Sequence, residues 1–212
     1  MSLDTFEPWV RWIGTADTLV TLAIVLLGLA RSLARPRGRA VGRANQMLRL
    51  PTYILISIGY FGLWYLLWKP IPIALSPAVR IVALTLGALL LFPGLGLVLW
   101  GRLVLGKMYN VSSALGAQLY ADQQLITHGP YAIVRNPMYV GIIAATLGGL
   151  LIYRTWSLVF ALTFFGLVIR ARREEEALSA EFGAAWEAYC QRVPAWLPHT
   201  LRVHRDGARD RI

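Results

Sequence analysis

The sequence has few charged residues and a single cysteine, which argues against a soluble domain and against a disulfide-stabilised protein. Charged residues make up 15% of its 212 residues and hydrophobic residues 57%. A soluble domain has about one quarter charged and about one half apolar residues, so the balance predicts a membrane protein. Cys190 is the single cysteine, so no disulfide can form within the chain. No basic segment precedes the first apolar stretch, and we expect no secretory signal peptide.

Acidic residues are also scarce, since 11 Asp and Glu stand against 21 Lys and Arg, for a net charge of +10. A basic surplus can mark a nucleic-acid-binding protein. Here the basic residues fall between apolar segments, as the topology signals of membrane proteins do. We therefore expect membrane lipids as partners, and no nucleic acid. The basic segment 31–49, RSLARPRGRAVGRANQMLR, predicts a loop or an interfacial helix that contacts anionic lipid.

Long apolar runs predict an all-α integral membrane protein with about five transmembrane helices. The five stretches are about Thr15–Leu33, Pro51–Trp68, Pro77–Trp100, Pro137–Tyr153 and Thr155–Ile169. The last two are shorter than the ~20 residues of a typical span and predict a tight hairpin about Arg154. Pro93 predicts a bend in the third stretch. Gly141, Ala145 and Gly149 recur every four residues in the fourth and predict close packing against another helix.

The distribution of basic residues predicts which helix ends face the cytoplasm. Of the 21 Lys and Arg, 17 lie in the last turn of the first stretch or after the first, third and fifth stretches, and the other four are Arg11, Lys69, Arg80 and Arg154. Basic residues collect on the cytoplasmic side, so we expect the N-terminus outside and the C-terminus inside, in a bacterial inner membrane. Residues 1–102 then hold three transmembrane helices and a basic cytoplasmic loop. Residues 103–212 hold the hairpin and the cytoplasmic polar segments.

Two polar segments, after the third and fifth stretches, carry the candidate site. Residues 125–141, LITHGPYAIVRNPMYVG, contain a Gly-Pro turn followed by an Asn-Pro pair typical of a helix start. Residues 168–183, VIRARREEEALSAEFG, predict a helix that continues out of the fifth stretch and ends at Gly183. Arg170 and Glu174 share a face of that helix. The spacing also allows an interfacial anchor and a solvated, salt-bridged helix end, and both readings stay open.

Together the two segments resemble the isoprenylcysteine carboxyl methyltransferase family and the related phospholipid N-methyltransferases. The family pattern is Gly-Pro-Tyr, Arg-His-Pro and Tyr, then Arg, two Glu, Leu, Phe-Gly, Tyr and Val-Pro, and the match covers about residues 103–198. The resemblance implies a membrane methyltransferase that uses S-adenosylmethionine. Its acceptor would be lipophilic: an isoprenylcysteine-like carboxylate, a phospholipid amine or a thiol. Asn136 stands where the family usually has His, and Trp186 where it often has Tyr.

The resemblance also implies two sets of site residues and no metal. The cofactor-binding set is Gln123, Leu125, Ile126, Tyr131, Arg135, Asn136, Tyr139, Glu174 and Glu175. The catalytic set is Arg170 and Glu174, with Arg170 holding a carboxylate substrate as an ion pair. The tyrosines would face the sulfonium cation, the glutamates would take the ammonium or ribose hydroxyls, and Arg135 would pair with the cofactor's carboxylate.

Two other classes of protein stay open. Membrane sterol reductases look similar in their C-terminal hairpin and bind NADPH, although the two adjacent glutamates after the last stretch favour the methyltransferase. A non-enzymatic membrane scaffold or lipid-binding protein would bind neither cofactor.

Overall fold

The computed structural model describes residues 3–33, 37–42, 50–109, 112–113, 116–164 and 166–198, and these are mostly helical. The α-helices are α1 Leu3–Leu33, α2 Leu50–Leu66, α3 Pro77–Leu105, α4 Pro137–Tyr153, α5 Trp156–Phe164, α6 Leu167–Phe182 and α7 Ala184–Arg192. The strands are β1 Arg37–Gly42, β2 Ser112–Ser113 and β3 Gly116–Tyr120, and 3₁₀-helices cover Gly106–Met108 and Gly129–Ala132. The expected all-α class is confirmed, with one small sheet added.

Two of the described helical segments are long and apolar enough to cross a membrane by length and composition. They are Asp4–Arg31 and Pro77–Met108. The helix Pro137–Tyr153 is apolar but shorter. α3 continues through Pro93 without a break. Five spans were expected, so two are supported by helix length and the other three stay predictions.

The fifth apolar stretch is not one helix. α5 ends at Phe164, α6 begins at Leu167, and Gly166 precedes α6 with a φ of 45°. This left-handed conformation is readily adopted by glycine but costs other residues energy. The expectation of one helix that runs through Ile169 into the polar segment is therefore wrong. The predicted end of that segment is confirmed, since α6 stops at Phe182 and Gly183 follows with a φ of 48°.

The centre of the bundle lies between α3 and α4, where small residues let the two helices approach closely. A Cβ added at Gly94 would lie 2.7 Å from the backbone nitrogen of Ala145, and one at Gly141 would lie 2.6 Å from the carbonyl oxygen of Gly94. Gly141 and Ala145 thus confirm part of the predicted stripe. Gly148 continues it against the backbone of α3, whereas Gly149 faces α5. Spacings of four and then three residues keep a stripe on one helix face.

A small antiparallel sheet, with strand order β1-β3-β2, was not expected. β1 lies in the basic segment 31–49, where the sequence predicts a loop or an interfacial helix, and for residues 37–42 this prediction is wrong. The partner of β1 is β3, with Arg37 opposite Tyr120. A pairing so distant in the chain is set by tertiary context, which local composition does not reveal. The sheet contacts α6, and Leu119 clusters there with Ala177.

The α3–α4 pair has two polar ends, which place the sites described below. At one end Gly101 of α3 lies beside Pro137, the first residue of α4. At the other end Arg80 of α3 and Arg154, just after α4, both bind Glu7 of α1. These are termed the Pro137 end and the Glu7 end. A helix rises about 1.5 Å per residue, so α3 separates them by about 30 Å, the thickness of a bilayer's hydrocarbon core.

Candidate functional site

Three predicted site residues meet at the Pro137 end: Tyr139 from the first turn of α4, and Arg170 and Glu174 from α6. The Tyr139 hydroxyl donates a hydrogen bond to Oε1 of Glu174 at 2.6 Å. The guanidinium carbon of Arg170 lies 6.0 Å from the centre of the Tyr139 ring. The Trp196 ring, which the sequence did not suggest, lies 6.5 Å from the Tyr139 ring. An anionic, a cationic and an aromatic group are thus assembled around Tyr139.

A second cluster joins Glu175 to the residues just before α4. Arg135 donates from Nε to Oε1 and from Nη2 to Oε2 of Glu175, both at 3.2 Å. Nδ2 of Asn136 donates to Oε1 of the same carboxylate at 2.8 Å. Glu175 therefore accepts three hydrogen bonds, two of them from a planar guanidinium that matches the carboxylate geometry. This cluster is termed the Glu175 clamp.

The clamp also holds the segment that follows α7. The backbone N–H of Arg135 donates to the carbonyl of Pro194 at 2.8 Å, and that of Asn136 to Ala195 at 3.2 Å. Nη1 of Arg135 donates to the carbonyl of Val193 at 3.0 Å, and Nδ2 of Asn136 donates to Ala195 at 3.2 Å. The Asn136 amide thus uses both of its N–H donors. The family that this sequence resembles usually has His at this position.

These contacts bear on the role expected for Arg135. Its Nε and Nη2 bind Glu175, and its Nη1 binds the carbonyls of Cys190 in α7 and Val193 just after it. The guanidinium carbon also lies 5.7 Å from the Trp186 ring centre, within the range of a cation–π contact. The Arg135 side chain is therefore already engaged in contacts within the protein. A direct contact between Arg135 and a cofactor carboxylate stays a prediction, while the observed contacts join the start of α4 to α6 and α7.

An apolar cluster packs beside the Glu175 clamp. Trp186, Tyr189 and Val193 are buried together, and Leu125 packs against them. The Tyr189 hydroxyl donates to the carbonyl of Tyr131 at 2.7 Å, which ties α7 to the Gly-Pro-Tyr turn. Burial raises the pKa of Tyr189 to about 12, because the phenolate would lose its hydration.

The remaining predicted cofactor residues precede the turn or lie in it. Gln123 closes a turn after β3, its Oε1 accepting from the backbone N–H of Tyr120 at 3.4 Å. Ile126 is half-buried in the same stretch as Leu125. Tyr131 is buried, its hydroxyl reaches the carbonyl of Gly101 at 3.5 Å, and burial raises its pKa. Tyr131 therefore packs onto α3, and its expected contact with a cation stays a prediction.

The sequence also missed the groups that follow α7. The carbonyls of Val193, Pro194 and Ala195 and the ring of Trp196 all contact residues of the site. The signal was the Val-Pro pair, which the family pattern includes but which was assigned no site role.

Comparisons with known proteins match this region. Residues 82–185 match the family model of the phospholipid methyltransferases. Over 92 residues the chain is 32% identical to Protein-S-isoprenylcysteine O-methyltransferase of Schizosaccharomyces pombe, covering 42% of this chain and 39% of the relative. Over 144 residues it is 28% identical to Delta(14)-sterol reductase of Mus musculus, covering 61% of this chain and 32% of the relative. The chain spans less than two fifths of the length of either relative. The resemblance seen in the two polar segments is confirmed.

Proposed function

We propose that residues 82–185, which match the phospholipid methyltransferase family, give this chain the activity of an integral membrane methyltransferase that uses S-adenosylmethionine. Its acceptor would be lipophilic and bound at the Pro137 end. The observation that supports this most is the convergence of Tyr139, Arg170 and Glu174, all inside the matched range.

The chemistry around Tyr139 fits S-adenosylmethionine, which when bound supplies a methyl group activated by a sulfonium. An ionised carboxylate can accept about four hydrogen bonds, so Glu174 can bind the ammonium or ribose hydroxyls while accepting from Tyr139. The rings of Tyr139 and Trp196 offer faces that attract a cation. The Glu175 clamp holds the start of α4 against α6, and this fixes Tyr139 relative to Glu174. Fixed geometry of this kind contributes much of the rate of a transfer reaction.

Arg170 supports an acidic acceptor. It projects from the same face of α6 as Glu174 and lies beside the Tyr139 ring. A guanidinium binds a carboxylate through two parallel hydrogen bonds and repels an ammonium. We therefore propose an isoprenylcysteine-like carboxylate as the acceptor, in preference to the amine of a phospholipid.

The proposed topology has five spans, formed by α1, α2, α3 and the α4–α5 hairpin. The N-terminus and the Glu7 end face the outside of a bacterial inner membrane, and the Pro137 end faces the cytoplasm, because 17 of 21 basic residues fall on that side. A cytosolic cofactor and a membrane-borne acceptor then meet at the bilayer edge. This accounts for a polar Arg-Asn-Pro turn directly before an apolar helix.

The test starts with purified protein and calorimetric titration of S-adenosylmethionine. Protein is then incubated with methyl-labelled cofactor and a membrane lipid extract. A methyl ester releases labelled methanol in base, whereas N-methyl and S-methyl products do not, so alkaline hydrolysis identifies the acceptor class. We expect base-labile label with the unaltered protein and little with the Glu174→Gln variant. Failure to bind S-adenosylmethionine would refute the proposal.

A second candidate is a reductase that uses NADPH. It is favoured by the similarity to the mouse sterol reductase, which extends over 61% of this chain. The same calorimetric experiment with NADPH separates the two candidates. Binding of NADPH without binding of S-adenosylmethionine would favour the reductase, and binding of neither would favour a non-enzymatic membrane protein.

A further inference from the structure

A separate cluster of charged side chains lies at the Glu7 end, and the proposed function makes no use of it. Glu7 of α1 is only 4% exposed, and its carboxylate is surrounded by three arginines. Arg154 donates from Nη2 to Oε1 at 2.7 Å, and Arg80 donates from Nε to Oε2 at 3.1 Å. Arg11, one helical turn after Glu7, also donates to Oε1. This group is termed the Glu7 cluster.

The Glu7 cluster has more positive than negative charge. Three guanidinium groups face one buried carboxylate. The other acid, Asp4, has a side chain that is 82% exposed and contacts Arg80 at 3.4 Å. Even with Asp4 counted, one positive charge is left over. Like charges gathered in a partly buried place repel one another, and a bound anion would relieve this.

Hydrogen-bond donors in the cluster also lack acceptors. Nε of Arg11 and Nη1 of Arg154 are buried and have no hydrogen-bond partner among the described residues. Buried donors are normally satisfied, so each of these two nitrogens can take an additional acceptor. Arg154 has a φ of 52°, the single positive φ of a non-glycine residue in the part of the chain that the structure describes. Arg154 adopts this conformation where it ends α4, and its backbone N–H donates to the carbonyl of Leu150.

A cavity of about 460 Å³ opens at the cluster. Arg11, Arg80 and Arg154 line it together with the two acids already counted, Asp4 and Glu7, and with Trp12, which is 73% exposed. Trp9, also exposed, lies one turn before on α1. Exposed tryptophans near the end of an apolar helix are typical of the headgroup level of a bilayer. The cavity thus combines excess guanidinium charge with a place where lipid phosphates are abundant.

We propose that the cavity at the Glu7 end binds a phosphate group through Arg11, Arg80 and Arg154. Guanidinium forks match the oxygens of phosphate, and one or two negative charges would balance the surplus of the cluster. The phosphate can belong to a lipid headgroup or be free in solution. Binding there would fasten α1 to the start of α3 and to the end of α4.

The test uses purified protein in a maltoside detergent, free of phosphate. Inorganic phosphate and a short-chain phosphatidic acid are titrated separately, and bound ligand is measured by native mass spectrometry. Loss of one charged hydrogen bond should weaken binding at least about tenfold in Arg154→Gln. Lys69→Gln is the matched control. It removes one positive charge from the exposed Lys69 side chain at the same end, outside the cavity lining, and should bind like the unaltered protein.

The Glu7→Gln variant separates a binding site from a purely structural ion-pair network. The amide keeps the side-chain shape but removes the charge that competes for the guanidiniums, so an anion site should bind phosphate more tightly. A structural network would lose thermal stability and bind nothing. If Arg154→Gln does not fold, the phosphate binding of Glu7→Gln still tests the proposal. Binding of phosphatidic acid alone identifies a lipid headgroup as the ligand, and binding of both probes identifies the phosphate group itself. Binding of neither, by the unaltered protein or by Glu7→Gln, overturns the proposal.

Discussion

Replacing Glu175 with Gln should destabilise the fold, whereas the same replacement at Glu176, the next residue, should not. The Glu175 carboxylate accepts two hydrogen bonds from Arg135 and one from Asn136. Glutamine has the same length, but its amide places an N–H₂ group where one carboxylate oxygen faces the guanidinium. It also leaves the Arg135 charge without its counterion.

The magnitude follows from burial. The side chains of Arg135 and Glu175 are 15% and 24% exposed. Breaking a buried ion pair costs about 3–5 kcal/mol, and losing a charged hydrogen bond costs about 1.5–3 kcal/mol. With partial exposure we expect about 2–3 kcal/mol, which in a chain of this length lowers Tm by about 4–12 °C. Glu176 and its partner Arg173 are 50% and 43% exposed, so their pair contributes about 0–1 kcal/mol.

The assay is thermal unfolding of the detergent-solubilised variants, followed by tryptophan fluorescence. Arg135→Gln and the Arg135→Gln/Glu175→Gln double variant complete a double-mutant cycle. We expect the double variant to be more stable than the sum of the single changes implies, by about 1 kcal/mol or more. If Glu175→Gln and Glu176→Gln unfold at the same temperature, the clamp does not stabilise the fold.

Four further predictions concern the site and the topology. Glu174→Gln should keep its Tm but bind S-adenosylmethionine at least about tenfold more weakly in calorimetry, since a charged hydrogen bond is lost. Unchanged affinity would show that Glu174 does not contact the cofactor. Arg170→Lys should fold and bind the cofactor but transfer methyl groups slowly, because the planar fork is lost; unchanged turnover would make Arg170 an interfacial anchor. Burial raises the pKa of Tyr189 from 10.0 to about 12, so the contribution of its neutral hydroxyl to stability is complete below pH ~10 and lost as the pH rises through ~12. In urea unfolding, the free energy of unfolding should fall less between these pH values in Tyr189→Phe than in the unaltered protein. A tag after Ile212 should be labelled only after intact cells are permeabilised, and labelling before that would reverse the topology.

The helices were predictable because long apolar runs and terminal signals carry local information. Pro137 begins α4 and Gly183 follows α6 as the sequence indicates. The break at Gly166 was missed because a lone glycine in an apolar run is usually tolerated within a helix. β1 was missed because its partner is far along the chain and Val41 is the single β-branched residue among its six.

The site was predicted as a set of residues, but its internal pairing was not. Both glutamates are predicted to bind the cofactor, yet Glu174 contacts Tyr139 while Glu175 contacts Arg135 and Asn136. Adjacent residues on a helix point about 100° apart, so neighbours in sequence meet different partners. The Glu7 cluster was missed for a related reason. Its arginines were read only as the minority on the outer side, and their common partner appears only in three dimensions.

The position of Asn136 bears on the choice of acceptor. An asparagine cannot titrate near neutral pH, and both of its N–H donors are used within the clamp. Asn136 is therefore unsuited to removing a proton from an acceptor. A carboxylic acid with an ordinary pKa of about 4 is already ionised at neutral pH and needs no base before methyl transfer, whereas an amine with a pKa of about 10 does. A chain with Asn where the family usually has His is thus better matched to a carboxylate, which is also the group that the guanidinium of Arg170 would bind.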